Sequence, residues 1–309
     1  MARLFTRIFS RTGRVSEPQP DAPPEQQARA VPPVQPPPPL PEAAPPATIP
    51  APASAPPAVA AAERPPPPAS PPAAAPRQAP PLLTTRRWGP ANRRAPESIV
   101  FLCHGMNGSA NGIIQIAPQL GTLLETTLFI APNGPEVAIS GSDSRLWFDA
   151  RDRSPVMLEA GVREAAAALD ALINAELERA GLDRDAYALV GYSQGAMTAL
   201  FTGLRRRPPP RAILSYAGAL IAPGTLDEEM TGPVPVMLVH GLEDPVVPAF
   251  YSRDAEKALR ALRIPVQTMY VPRLGHAIDA AVVQAGKQFL ARWLAPEAVP
   301  SRAARSADG

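Results

Sequence analysis

The sequence predicts an α/β protein in which a mostly parallel central sheet carries helices on both faces, preceded by a disordered tail rich in proline and alanine. Two observations predict this architecture. Beyond about residue 97, short apolar runs alternate with segments of helical periodicity, as a parallel sheet covered by helices requires. Before that point proline dominates, because 28 of the 44 prolines fall within the first 100 of the 309 residues.

Residues 15–95 are predicted to form a disordered linker. They contain runs such as "PPPPLPEAAPPATIPAPASAPPAVAAAERPPPPASPPAAAP" and almost no aromatic or β-branched residues. Such a segment cannot bury enough apolar surface to offset the entropy of ordering, and it favours extended polyproline-II conformations. Its PxxP triplets follow from composition alone, so they do not indicate a dedicated peptide ligand.

Residues 1–14, "MARLFTRIFSRTGR", form a basic amphipathic segment. Four arginines recur at helical spacing, and the apolar residues on the other side are Leu4, Phe5, Ile8 and Phe9. Arginine interrupts every apolar run, which argues against a signal peptide or a transmembrane span. Three interpretations stay open, namely a short helix in weak contact with an anionic membrane surface, an organelle presequence, and a frayed basic tail. We expect a cytoplasmic location, with peripheral membrane contact under the first interpretation.

Charge and cysteine content narrow the function classes. Residues 1–95 carry a net charge of +6 and the remainder carries −4, so the globular part shows no basic face for nucleic acid. The single cysteine, Cys103, permits no internal disulfide. It lies within the apolar run "SIVFLCHG" and is predicted to be a buried structural residue rather than a reactive thiol.

The catalytic domain is predicted to span residues 96–296, with a flexible tail at 297–309. A long helix is expected to begin at Ser154-Pro155, an N-cap followed by proline, and to end at Gly181. A further helix is predicted directly after Ser193, a serine flanked by two glycines. Two more helices are predicted at about 250–262 and 277–294. The predicted strands are 98–105, 127–132, 186–190, 212–218, 234–241 and 266–272.

The stretch "ALVGYSQGAMTAL" joins an apolar strand to a helix through a serine between two glycines. The pattern matches a nucleophile elbow, in which Ser193 occupies a strained turn and Gly191 and Gly195 must be small. On the pentapeptide alone, an ordinary glycine-rich turn is the alternative. The remaining candidate residues favour the elbow.

A serine nucleophile requires a histidine base oriented by a carboxylate. The chain contains three histidines, and His276 follows the last predicted strand at the sheet edge where the elbow also lies. The loop after strand 234–241 supplies Glu243 and Asp244, of which Asp244, held by the adjoining "PVVP" run, is favoured. The order Ser193, Asp244, His276 is the one found in α/β-hydrolases. The other two histidines, His240 and His104, are predicted to be structural members of their loops.

Acyl transfer also requires donors for the developing oxyanion. The amide of Gln194, directly after the serine, is one candidate. The glycine-rich loop "HGMNGSANG" after an early strand supplies the second, which we assign to the amide of Met106. A phosphate-binding loop is the alternative, but no Gly-Lys-Ser/Thr follows.

The chain resembles the phospholipase/carboxylesterase branch of the α/β-hydrolases, which includes acyl-protein thioesterases and small bacterial carboxylesterases. The resemblance rests on "FLCHGMNGS", "APNGP", "RLWFDA", "GYSQGAM", "HGLEDPVVP" and "LGHAID", in that order between about residues 97 and 295. It implies Ser193, Asp244 and His276 as the triad, with the oxyanion amides named above. It also implies that "LWFDA" lines the acyl pocket, with Trp147 and Phe148 as candidate substrate contacts, whereas such aromatics taken alone are more often core residues. Val246 is a further candidate substrate contact.

The chain departs from that family at two points. Asn107 stands where the family usually has glycine, and the proline-rich extension has no counterpart in the small cytosolic members.

The expected function is hydrolysis of small-molecule carboxylic esters or thioesters through an acyl-enzyme. Two alternatives are a polyester-depolymerase or xenobiotic-type esterase, and a non-catalytic hydrolase-fold scaffold whose tail recruits partners. No metal-ligand cluster or dinucleotide motif occurs, so no cofactor is expected.

Overall fold

The computed structural model describes residues 83–294, which form an α/β fold around a seven-stranded sheet. The strands are β1 Thr85–Trp88, β2 Ser98–Cys103, β3 Thr127–Pro132, β4 Glu136–Val137, β5 Arg145–Leu146, β6 Tyr187–Tyr192, β7 Ala212–Tyr216, β8 Val236–Gly241 and β9 Val266–Val271. The helices are α1 Ala110–Ile113, α2 Ala117–Leu120, α3 Pro155–Ala180, α4 Gln194–Arg205, α5 Leu226–Glu229, α6 Phe250–Ala261 and α7 Ala280–Leu294. All six predicted strands are present.

The main sheet has the order β1-β3-β2-β6-β7-β8-β9, and every neighbouring pair except β1 and β3 is parallel. All six residues of β2 are buried, because parallel strands are covered on both faces. Side chains alternate between the faces, so Phe101 enters the hydrophobic cluster on one side and Leu102 enters the cluster on the other. The predicted fold class, a mostly parallel sheet between helical layers, is confirmed.

Helices cover both faces of this sheet. Helices α3, α4 and α6 contribute buried residues to the first cluster, whereas α1, α2 and α7 contribute to the second. The long helix α3 begins after Ser154 with Pro155 in its first turn and ends at Gly181, which adopts a left-handed conformation at φ +65°, as predicted. Between residues 83 and 294 no helix combines the length and hydropathy needed to cross a membrane.

Strand β1 corrects the predicted end of the linker at residue 95. Thr85–Trp88 pairs antiparallel with β3, and the Trp88 ring lies 5.6 Å from that of Phe129. Arg87 donates to Glu176 of α3 at 2.6 Å. The folded unit therefore begins at least ten residues earlier than the composition indicated. The predictions for residues 1–82 and for the tail 297–309 lie outside the described residues.

Candidate active site

The turn between β6 and α4 holds Ser193 in a conformation that few residues adopt, with φ +54° and ψ −119°. A side chain at Gly191 would collide with the backbone of Gly195 and Ala196. A side chain at Gly195 would collide with the carbonyl groups of Cys103 and His104 at the end of β2. The two glycines therefore allow the turn to close and to pack against the neighbouring strand, as the elbow prediction requires.

Three side chains from three loops form one hydrogen-bonded chain. The Ser193 hydroxyl lies 2.9 Å from His276 Nε2, and His276 Nδ1 lies 2.6 Å from Asp244 Oδ2. Ser193 is 8% exposed and Asp244 is 7% exposed, so solvent reaches this row of hydrogen-bonded side chains mainly at His276. The structure thus brings together the three residues that the sequence singled out. The competing carboxylate, Glu243, is exposed and makes no side-chain hydrogen bond within residues 83–294.

The loop after β8 fixes the Asp244 carboxylate. Its Oδ1 accepts hydrogen bonds from the amides of Val246 and Val247, each at 2.9 Å. Burial of the carboxyl group opposes its ionisation, but the hydrogen bonds from His276 and from these two amides outweigh burial and lower the pKa of Asp244. This carboxylate is therefore ionised throughout the neutral pH range. Its Oδ1 is bonded to the backbone, and its Oδ2 is bonded to His276 and lies 3.2 Å from His240 Nε2.

His240 supports the same loop from below. Its Nε2 donates to the Val247 carbonyl at 2.7 Å, and its Nδ1 accepts from the Ser252 hydroxyl at 2.6 Å. His240 is 1% exposed. It connects β8, the Asp244 loop and α6, in agreement with the structural role expected from the sequence.

The loop after β2 presents backbone donors beside Ser193. The Gly105 carbonyl accepts hydrogen bonds from the Gly108 amide at 3.0 Å and from His104 Nδ1 at 2.7 Å. These bonds fix the peptide that links Gly105 to Met106. Asn107 adopts a left-handed conformation at φ +61°, which explains both why glycine suits this position and why asparagine is tolerated there.

His104 is held as a neutral imidazole. The Gly134 amide donates to its Nε2 at 2.9 Å, so the ring proton lies on Nδ1. Burial lowers the pKa of His104, and the positive charge of Arg145 acts in the same direction against the hydrogen bond to Gly105. His104 is therefore a structural member of the loop after β2, as the sequence indicated.

Trp147 differs from its predicted role as a substrate contact. It is 1% exposed, and its Nε1 donates to the His104 carbonyl at 2.8 Å. Its amide donates to the side chain of Gln194 at 3.0 Å. Trp147 therefore connects the loop after β2 to the start of α4 rather than lining the cavity beside Ser193. Spacing along the chain gave no signal for these bonds, which join residues more than 40 positions apart.

A small apolar cavity of about 150 Å³ opens directly beside Ser193. Phe148 and Val246, two predicted substrate contacts, line this cavity together with the side chain of Met106. Phe148 is 2% exposed and lies deep, whereas Val246 is 49% exposed and lies toward solvent. The cavity can take an apolar group attached to a carbonyl carbon at the serine.

Tyr192 is a residue that the sequence analysis missed. Its hydroxyl donates to the backbone carbonyl of His276 at 2.8 Å, and its ring lies 5.0 Å from the imidazole at an interplanar angle of 34°.

Cys103 is fully buried at the end of β2, and burial raises the pKa of its thiol far above the ordinary value. The predicted inert role of Cys103 fits this environment.

Comparison with known proteins gives a consistent result. The model of the phospholipase/carboxylesterase family matches residues 90–294. Acyl-protein thioesterase 1 of Neurospora crassa is 26% identical over 222 residues, which are 66% of this chain and 90% of that protein. The crystal structure of esterase PE8 superposes with a TM-score of 0.64 at 33% identity, covering 69% of this chain and all of PE8. Acyl-protein thioesterase 2 of Zea mays superposes with a TM-score of 0.56 at 22% identity, covering 69% of this chain and all of that chain, which is a likeness of fold.

Proposed function

This chain belongs to the phospholipase/carboxylesterase family of α/β-hydrolases and is an ester-hydrolysing serine hydrolase, and from that premise we propose that Ser193, His276 and Asp244 are its catalytic triad. The observation that carries the proposal is the continuous hydrogen-bonded chain from the Ser193 hydroxyl through the imidazole to the buried carboxylate. The substrates are small-molecule esters or thioesters.

Acylation begins when the Ser193 oxygen attacks the carbonyl carbon of the substrate and transfers its proton to His276 Nε2. The 2.9 Å separation of these atoms suits that transfer without rearrangement. Collapse of the tetrahedral intermediate breaks the bond to the leaving alcohol or thiol, which takes the proton from His276. The acyl group then remains as an ester on Ser193.

Deacylation repeats these steps with water as the nucleophile. His276 accepts a proton from the attacking water and returns it to the Ser193 oxygen as the carboxylic acid departs. Asp244 holds the imidazole in the tautomer that leaves Nε2 free to accept, and its negative charge stabilises the imidazolium in both half-reactions. The lowered pKa of Asp244 supports this role, because the carboxylate keeps its charge across the working pH range.

We assign the oxyanion hole to the backbone amides of Met106 and Gln194. Gln194 is the first residue of α4, so its amide has no carbonyl partner within the helix. This amide lies at the positive end of the helix dipole, which favours a negatively charged oxygen. The Met106 amide belongs to the peptide that the bonds to the Gly105 carbonyl hold in place. Trp147 and the Gln194 side chain keep the two amides at a fixed separation, as preorganised catalysis requires.

Substitution of each triad member tests the proposal. Ser193→Ala should lower kcat for a p-nitrophenyl ester by about 10⁴ to 10⁶ and leave the circular dichroism spectrum unchanged. Asp244→Asn should lower kcat by about 10⁴, because an amide favours the wrong tautomer of His276.

Glu243→Gln is the matched control, since it makes the same chemical change one residue earlier on an exposed side chain. It should keep wild-type activity. If Glu243→Gln is the more damaging change, the acid is misassigned. If the folded wild-type protein hydrolyses no ester, the non-catalytic scaffold is the better account.

A further inference from the structure

We infer that this site is specific for esters and thioesters that join a short acyl group, of about six carbons or fewer, to a larger alcohol or thiol. The inference rests on the proposed function, because it assumes that Ser193 is the nucleophile and that His276 protonates the leaving group. Two adjoining cavities of different size, one lined by Ser193 and the other by His276, carry it.

The cavity beside Ser193 is too small for a long acyl chain. Its volume is about 150 Å³, and an apolar protein cavity of about that size holds one benzene molecule, which has six carbons. The buried end is formed by Phe148, Ala219 and Ile221, each less than 10% exposed. The open end is formed by Met106 and Val246, which are 42% and 49% exposed. We therefore place the acyl group in this cavity, with the end of its chain against the three buried residues.

The buried end is held in place by contacts with two helices. The Phe148 carbonyl accepts a hydrogen bond from Gln194 Nε2 of α4 at 2.7 Å. The Phe148 side chain packs so closely on α3 that a Cβ at Gly161 would lie 2.8 Å from its Cβ. Because neither helix leaves room for Phe148 to retreat, the cavity cannot lengthen without moving α3 or α4.

The adjoining space beside His276 is wider. A depression of about 470 Å³ is lined by residues 104–109 of the loop after β2, by Tyr192 and by His276. His276 lines this depression but not the smaller cavity, which is lined by Ser193. Since the leaving group must take its proton from His276, we place the alcohol or thiol in the wider depression, which is open to solvent.

Two substrate series test this assignment. In a series of p-nitrophenyl esters from acetate to dodecanoate, kcat/KM should be highest at about four to six carbons and fall at least about tenfold by ten carbons. In a series of phenyl, 1-naphthyl and 4-biphenylyl butyrates, which vary the leaving group at similar acidity, kcat/KM should change by less than about threefold.

Ile221→Ala should enlarge the buried end and raise the ratio of octanoate to butyrate hydrolysis by about tenfold. Leu123→Ala is the matched control, because it makes a similar truncation at a residue that is 53% exposed and lines neither cavity. Dodecanoate hydrolysed as efficiently as butyrate by a Ser193-dependent activity would overturn this inference alone. Loss of all hydrolysis without labelling of Ser193 would overturn the proposed function as well.

A separate set of contacts carries a second inference, that Tyr192 is a positioning residue for His276. Tyr192 directly precedes the nucleophile, its hydroxyl bonds the His276 carbonyl, and its ring lies against the imidazole. On the other side the ring packs against Gly105, where a Cβ would lie 2.9 Å from Tyr192 Cδ1. Tyr192 therefore fixes the distance between the elbow and the loop that carries His276, and its ring face favours the imidazolium that forms during catalysis.

Tyr192→Phe keeps the ring and removes the bond to His276. It should lower kcat about fivefold to tenfold without changing KM, and Tyr192→Leu should lower kcat further. Tyr216→Phe is the matched control, because the Tyr216 hydroxyl also donates to a backbone carbonyl, that of Val282, away from the site. Both Phe variants should lose similar thermal stability. Full kcat in Tyr192→Phe, or an equal loss in Tyr216→Phe, would overturn the inference.

Discussion

Removal of residues 1–93 should destabilise the catalytic domain, whereas removal of residues 1–82 should leave its thermal unfolding almost unchanged. The two truncated proteins differ by the eleven residues that contain β1. The proline-rich composition before residue 83 contributes little apolar surface, but β1 is part of the main sheet. The difference between the two proteins therefore isolates the contribution of one edge strand.

The size of the effect follows from two lost contacts. Truncation at residue 94 leaves Glu176, which is 3% exposed, without Arg87. Breaking a buried ion pair from one side costs about 3–5 kcal/mol, and the lower end applies because Arg87 is 36% exposed. Loss of the packing of Trp88 against Phe129 lowers the free energy of unfolding by a further 1–2 kcal/mol or so, about the cost of exposing part of an apolar side chain. The sum, about 4–5 kcal/mol, compares with a typical unfolding free energy of about 5–15 kcal/mol.

Thermal unfolding followed by circular dichroism measures the difference directly. For a domain of this length each kcal/mol shifts Tm by about 2–4 °C, so Tm should fall by about 10 °C or more between the two truncated proteins. Within the protein that begins at residue 83, Arg87→Gln should reproduce part of the loss. Adding Glu176→Gln should recover some of it, because it removes a buried charge whose remaining partner, Arg179, is exposed and 3.9 Å away. Equal Tm values, within about 2 °C, would refute the reasoning and restore the boundary at residue 95.

Three further predictions follow from individual contacts. Burial raises the pKa of Glu229, but hydrogen bonds from Arg205, Arg163 and Thr225 outweigh it and lower that pKa to about 2. The stabilising contribution of Glu229 is therefore full above about pH 4.5 and is lost as the pH falls toward 2. In urea unfolding, Glu229→Gln should be about 1–2 kcal/mol less stable than the wild type at pH 7, and this difference should close below pH 4.5. A difference that does not depend on pH would contradict this reasoning. Trp147→Phe should lower kcat about tenfold, because it removes the hydrogen bond to the His104 carbonyl. The acyl-length preference should stay unchanged, because Trp147 lines no part of the cavity beside Ser193. A changed preference would mean that Trp147 does contact the substrate. Cys103 should resist iodoacetamide in the native protein and react in guanidinium, as mass spectrometry would show; rapid native alkylation would mean that β2 opens.

The sequence predicted those parts of the fold and site that depend on local pattern. Strand β2 was recognisable because all its residues are buried and its apolar run is therefore unbroken. The elbow was recognisable because the close approach of α4 to β2 requires glycine at 191 and 195. Ser193, Asp244 and His276 each come shortly after a predicted strand, and this position predicted that their three loops meet at one edge of the sheet.

The features that the sequence analysis missed depend on contacts between distant residues. Strand β1 has two exposed arginines at its centre and half-buried ends, so it lacks the apolar run that marks a buried strand. The hydrogen bond of Tyr192 reaches a carbonyl 84 residues later, and those of Trp147 reach residues 43 and 47 positions away. The packing of the whole sheet determines the hydrogen-bond partner of such a side chain. A local sequence motif therefore does not predict that partner.

Peptide mapping after reaction with a fluorophosphonate tests the central claim, that Ser193 is an activated nucleophile, most directly. The folded wild-type protein should carry the phosphonyl group on Ser193 alone, Ser193→Ala should stay unlabelled, and Asp244→Asn should react about 10³- to 10⁴-fold more slowly because its imidazole is held in the wrong tautomer. A phosphonyl group on another serine, or equal labelling rates in wild type and Asp244→Asn, would contradict the account.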